Sequence, residues 1–340
     1  MVENIASMLA ESRRLNWTRF GKRIMFYAPS FAPYITAQHR AARGAFPSIS
    51  LTGTACALKC KHCDGRVLGT MMSATTPETL LALCQTIKAT GGRGCLISGG
   101  CLPDGSVPLH QFLPTIKQIK EELGLTLVVH TGLVDDQVAK ALADAQIDAA
   151  LLDIIGSQDT IEDLYHLPVR VDAYEASLQA LSKAGLPFVP HVLVGLHYGQ
   201  LRGELTALEM IARHRPHGVV VIAFTPLPKT PMADVVPPSP EAVAWVLAKA
   251  RLMMPDTPIA LGCMRPKGSH RRQTDRLAVQ AGVNAIAFPD AEAIKFAESL
   301  QLQLQFSPLC CAQISADFLR TDFTPSPATA QSHKPSPNGW

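Results

Sequence analysis

Charge is scarce in this chain. Asp, Glu, Lys and Arg make up 17% of its 340 residues and leave a net charge of +3. So small a balance gives no electrostatic footprint for nucleic acid. No apolar run is long enough to span a bilayer, so no membrane partner is expected. The first turns carry Glu3, Glu11, Arg13 and Arg14 and lack the apolar core of a secretory signal. No internal repeat shows beyond an alternation of strand and helix patterns. What is present is 47% hydrophobic residues, enough for one large globular domain or two small ones. Nine cysteines without a signal segment point to a reducing cytoplasm and to metal chemistry rather than disulfides.

Three of those cysteines, Cys56, Cys60 and Cys63, fall in eight residues at C-x3-C-x2-C spacing. One short loop can bring three such sulfurs to a single centre. A structural zinc site wants four closed ligands, and His62 or a distant cysteine could supply the fourth. An iron–sulfur cubane on three cysteines leaves one iron open to a small molecule.

The loop sits in a regular pattern. Residues 3–13 read as a short amphipathic helix, and Ile24–Pro29 as a β-like run closed by proline. From residue 46, continuous apolar runs alternate with amphipathic helices. Strands are expected at 46–51, 95–98, 125–130, 148–155, 188–195, 218–224, 258–262 and 284–288. Helices are expected at 77–90, 109–122, 135–145, 172–184, 201–214, 240–252, 271–281 and 290–299, the first capped by Thr76. Unbroken apolar strands suit a parallel sheet buried on both faces. Eight βα units predict an α/β fold, a (β/α)8 TIM-type barrel. Residues 1–45 read as an N-terminal extension packed on the barrel, 46–312 as the barrel with a C-terminal cysteine pair, and 313–340 as a disordered tail.

Active sites of such barrels lie at the carboxyl ends of the strands. Those ends deliver the three cysteines, Ser98-Gly99-Gly100-Cys101, His130, Asp153, His191, Gly195, Cys263 and Arg265. His130 and His191 read either as substrate or cofactor contacts or as satisfied structural groups. Cys84 and Cys95 read as core. Cys101, Cys263, Cys310 and Cys311 read either as unrelated buried thiols or as three or four ligands of a second iron–sulfur cluster.

The cysteine loop resembles the cluster motif of the radical S-adenosylmethionine (SAM) enzymes, although His62 stands where that family has an aromatic residue. The resemblance implies a [4Fe–4S] cluster on Cys56, Cys60 and Cys63. Its open iron would chelate SAM and generate a 5′-deoxyadenosyl radical. Ser98, Gly99 and Gly100 resemble the motif that holds the SAM amino group, Gly195 the glycine beside the adenine, and Asp153 a polar contact to the ribose or methionine. Residues 25–312 also resemble biotin synthase and its homologues, in which sulfur is drawn from a second cluster. Val128 and Val189 stand where that enzyme has cluster cysteines. Phe26–Phe31, Ile49–Thr54 and Leu309-Cys310-Cys311 resemble a biotin-synthase-like group whose two radical SAM proteins together act as lipoyl synthase. That resemblance implies sulfur insertion into an octanoyl chain on a lipoyl carrier protein. It also implies a second radical SAM subunit and a reductant such as ferredoxin or flavodoxin. The alternatives are radical SAM chemistry on another small molecule, and a non-catalytic zinc or electron-transfer protein.

Overall fold

Short runs of Val, Ile, Leu and Ala become parallel strands because both of their faces find apolar cover. The computed structural model describes residues 5–36, 39 and 44–318. Its strands are β1 (Arg23–Tyr27), β2 (Ser48–Ser50), β3 (Met72–Ser73), β4 (Gly94–Ser98), β5 (Thr126–His130), β6 (Ala149–Asp153), β7 (Phe188–Val194), β8 (Val219–Ala223), β9 (Ile259–Leu261), β10 (Ala285–Ala287) and β11 (Gln303–Ser307). They form one sheet in the order β11-β1-β10-β9-β8-β7-β6-β5-β4-β2-β3, and every pairing is parallel.

All eight expected strands are present, as β2 and β4 to β10. The eight helices follow them, at Pro77–Ala89, Leu113–Leu123, Asp136–Asp144, Asp172–Lys183, Glu204–Arg213, Pro240–Met253, Ser269–Ala281 and Ala291–Ser299. Thr76 caps the first of these through a reciprocal hydrogen-bond pair with Thr79. The fold is the expected α/β barrel, with one difference in closure. Among the described residues no ladder joins the edge strands β3 and β11, so the curled sheet is open.

Alternation along each strand divides the core in two. Leu127, Val129, Ala150 and Leu152 face the helices. Val128, Leu151, Val189, Val220, Ala260 and Ala285 face the lumen. The N-terminal part does more than pack on the barrel. β1 is a strand of the sheet, held between β10 and β11. The expected disordered tail begins too early, since Cys311–Gln313 and Ile314–Phe318 are helical turns. They are buried against the lumen-facing residues because an apolar lumen this wide needs filling. Phe318 reaches Phe20, just before the amino end of β1, with ring centroids 5.6 Å apart. The C-terminal segment thus runs down inside the barrel from one end to the other. Residues 319–340 lie outside those described. No helix among the described residues is long and apolar enough to cross a membrane.

Two buried arginines brace the last units. Arg265 is 2% exposed. Its guanidinium donates to both carboxylate oxygens of Asp275 (2.6 and 2.9 Å) and to the carbonyls of Gly262 and Phe288. It was expected at the site, but it is a structural brace. Arg251 donates to the carbonyls of Pro255 and Thr257 and to Asn284 Oδ1.

Candidate functional site

The turn after β2 and the turn after β4 are laced together. Thr52 Oγ1 accepts from Gly100 N–H (2.7 Å) and donates to Ala55 O (2.8 Å). Ala57 N–H donates to Cys101 O (2.8 Å), and Lys61 N–H docks the loop on Leu164 O (2.9 Å). Lys59 and Asp64 take positive φ, each 47°, which lets the loop curl on itself. Cys63 N–H and Asp64 N–H both donate to Cys60 O.

The curled loop forms one wall of a cavity of about 230 Å³. Cys56, Cys60, Cys63, His62, Ser98, Gly99, Gly100, Cys101, His130 and Asp153 all line it. The glycine pair is not interchangeable. A Cβ on Gly99 would meet only side-chain atoms, of Thr52 and Val107, tightly at 3.3–3.4 Å, so that a shift of a few tenths of an ångström would admit it. On Gly100 it would overlap Ala55 O and come within 2.7 Å of Cys56 Cα. Gly100 is glycine because the cysteine loop passes directly over it. Gly100→Ala is therefore expected to push Cys56 outward. Overpacking should cost about 1–3 kcal/mol, and SAM binding measured by equilibrium dialysis should weaken much more than for Gly99→Ala. Equal binding by the two variants would refute this.

The electrostatics suit ligand thiols. Cys60 hydrogen-bonds Cys63, which with His62 lowers the Cys63 thiol to about 4 despite burial, while Cys60 is driven up. Burial pushes the Asp153 carboxyl up, but His130 facing it at 3.7 Å and the neighbouring His191 hold it down at about 2. Burial pulls His191 down to about 4 and leaves a neutral ring.

The model of the radical SAM superfamily matches residues 50–201. The chain carries this radical SAM match over somewhat less than half of its length and is similar to biotin synthases. It is 27% identical over 217 residues to biotin synthase of Methylobacterium sp. (strain 4-46), covering 62% of this chain and 63% of that one. It is 26% identical over 288 residues to biotin synthase of Alkalilimnicola ehrlichii, covering 80% and 85%. It thus spans less than two thirds of the first relative and most of the second. In fold it is similar to methylornithine synthase (PylB), with a TM-score of 0.61 at 17% identity over 94% of this chain and 92% of that one. The hydrogenase maturase HydG gives 0.61 at 17% identity over 84% and 62%.

The cofactors of a radical SAM protein are a [4Fe–4S] cluster and SAM. The residues present fit them. Three thiols share one cavity, and a side-chain-free turn at Gly99-Gly100 faces it. Gly195 does not line that cavity. Its φ is 71°, its N–H donates to Glu204 Oε1 (2.8 Å), and a Cβ there would strike the Pro238 ring. Backbone conformation and packing both call for glycine there.

The four remaining cysteines divide. Cys101 belongs with the loop, raised to about 12 by burial and then by the charges of Cys56 and Asp153. Cys263, Cys310 and Cys311 form a second group. Cys263 is raised to about 11 by burial and by Cys310, and Cys310 is lowered by a hydrogen bond from Cys311. Of the three or four ligands expected, Cys263, Cys310 and Cys311 lie together, and Cys101 lies by the cysteine loop. Sequence reasoning missed the second cavity. It holds about 510 Å³ and has mostly apolar walls, including Phe31, Leu96, Leu227 and Met264. These residues come from four separate segments, so no local pattern announces them.

Proposed function

We propose that the protein is a radical SAM enzyme that inserts sulfur into an octanoyl chain carried on a lipoyl carrier protein, as one subunit of a two-protein lipoyl synthase. The apolar cavity carries this reading. It shares Val67, Met71 and Ser98 with the cysteine cavity, and Cys263 stands in its wall. An alkyl chain lying there would reach the wall shared with the cysteine cavity and would also meet Cys263. Pockets of this size and character suit a largely apolar ligand.

The cluster and SAM, when bound, supply a radical able to take hydrogen from an unactivated carbon. The chain's own residues do the positioning. Cys56, Cys60 and Cys63 would hold the cluster. Ser98, Gly99 and Gly100 would hold the SAM amino group, and Asp153 a SAM hydroxyl. Leu96, Leu227 and Met264 would align the chain and keep water away. Cys263, Cys310 and Cys311 would hold the second cluster that donates sulfur. Val128 and Val189, placed where biotin synthase has cysteines, pack in the lumen against the segment that brings Cys310 and Cys311. The lumen receives its thiols from the C-terminal segment instead. A second subunit and a ferredoxin or flavodoxin would complete the system.

The test is an anaerobic assay with SAM, reductant and a peptide carrying a deuterated octanoyl-lysine, with and without the partner subunit. Deuterium should appear in 5′-deoxyadenosine. SAM cleavage that leaves the product unlabelled would exclude this substrate. A biotin-synthase-like reaction on a small molecule, the reading that the relatives favour, would then take its place.

A further inference from the structure

Three adjacent strands each end in a lumen-facing group that can ligate a metal. β5 ends at His130 and β6 at Asp153, and β7 carries His191. The register explains why they meet. Asp153 pairs with His191 across β6 and β7, and His130 pairs with Leu151, two residues before Asp153. Period-two alternation turns all three side chains to the same face. One donor atom from each lies within 4.8 Å of the other two.

Packing does not account for this group. His130 Nε2 and Asp153 Oδ1 stand 3.7 Å apart, looser than a direct hydrogen bond. His191 is 9% exposed, and its Nδ1 makes no hydrogen bond of good geometry, although the backbone of Val189 lies close enough to act on the ring. A buried nitrogen without a good partner is costly unless something absent from the protein alone completes it. An ion pair would need one histidine, and here there are two. His130 and Asp153 also line the 230 Å³ cavity, which leaves an approach for an ion and room for further ligands.

We propose that His130, Asp153 and His191 bind one divalent first-row transition ion, separate from the iron–sulfur ligands. Two imidazoles and one carboxylate with open positions are a donor set for such ions, and thiolate is not among them. Because His130 and Asp153 line the cavity, further ligands of such an ion would come from that side. An ion there would anchor an oxygen or sulfur donor of whatever substrate enters. The ion would take one oxygen of the Asp153 carboxylate and leave the other for the SAM contact proposed above. It does not depend on the octanoyl reading, because it is read from bound metal and not from turnover.

The experiment uses tag-free, full-length protein, reconstituted anaerobically with its iron–sulfur content and then freed of loose ions. Cobalt(II) is added, dialysed to equilibrium and counted per chain, and pulsed EPR reports its ligands. One cobalt per chain with nitrogen modulation from imidazole is expected. His130→Gln and His191→Gln should each weaken cobalt binding by at least about tenfold while iron and sulfide stay at the wild-type level. Cobalt bound equally by wild type and both variants would overturn the proposal, as would wild-type cobalt without imidazole modulation. If a variant fails to retain iron, the wild-type EPR signal alone decides. Failure of the octanoyl reading would show instead as unlabelled deoxyadenosine with cobalt binding intact.

Discussion

Replacing Cys56, Cys60 and Cys63 together by alanine will remove about four irons per chain and abolish SAM cleavage, since a [4Fe–4S] centre carries four. Iron and acid-labile sulfide after anaerobic reconstitution are the measurement. Wild type should hold about eight irons and the triple variant about four. Cys310→Ala with Cys311→Ala should also leave about four, but with SAM cleavage retained. The arithmetic rests on the division of the cysteines. Cys56, Cys60 and Cys63 line one cavity, while Cys263, Cys310 and Cys311 act on one another elsewhere. A wild type with about four irons, falling to none in the triple variant, would leave the protein without a second cluster and the sulfur-insertion reading without its sulfur. Zinc in place of iron and sulfide would refute the cluster altogether.

Asp275→Ala will be the most destabilising single change outside the site, by about 3–5 kcal/mol. Both side chains of the Arg265–Asp275 pair are fully buried. Removing the carboxylate leaves a guanidinium uncompensated in the core, with only the Gly262 and Phe288 carbonyls to face it. The backbone N–H of Asp290 loses its acceptor as well. A lower urea midpoint at unchanged slope is the expected readout. Arg265→Met combined with Asp275→Leu should recover part of the loss, because no charge is then stranded. A double variant less stable than the single would show that the carbonyl contacts of Arg265 matter more than its charge.

The barrel was legible because its strands are buried on both faces. Runs such as Ala149–Leu152 and Gly218–Phe224 are apolar throughout, and no surface strand of this length would be. The cysteine loop was legible because its spacing is local. Arg265 misled because a residue's position after a strand does not say which way its side chain turns. It turns inward to Asp275, ten residues later on the next helix. Gly195 has a structural reason of its own to be glycine, its positive φ and its contact with Pro238, which a lone glycine in a sequence does not reveal. The grouping of Cys263 with Cys310 and Cys311 depends on a segment that passes through the lumen, and such a path leaves no periodic trace. The meeting of His130, Asp153 and His191 depends on strand register, which single-strand patterns do not encode.

The placement of β1 and of the C-terminal turns has a consequence for how the molecule is made. β1 needs β10 and β11 on either side, so a strand completed within the first 27 residues waits for partners 258 or more positions later. The lumen stays uncovered until Ile314 and Phe318 arrive. Contacts this distant in sequence slow folding and leave apolar surface exposed meanwhile. A ribosome that stalls after β10 would release a chain with an empty barrel, an unpaired first strand and no Cys310 or Cys311. Assembly of the second thiol group and the last step of folding are therefore a single event, carried by the same few residues.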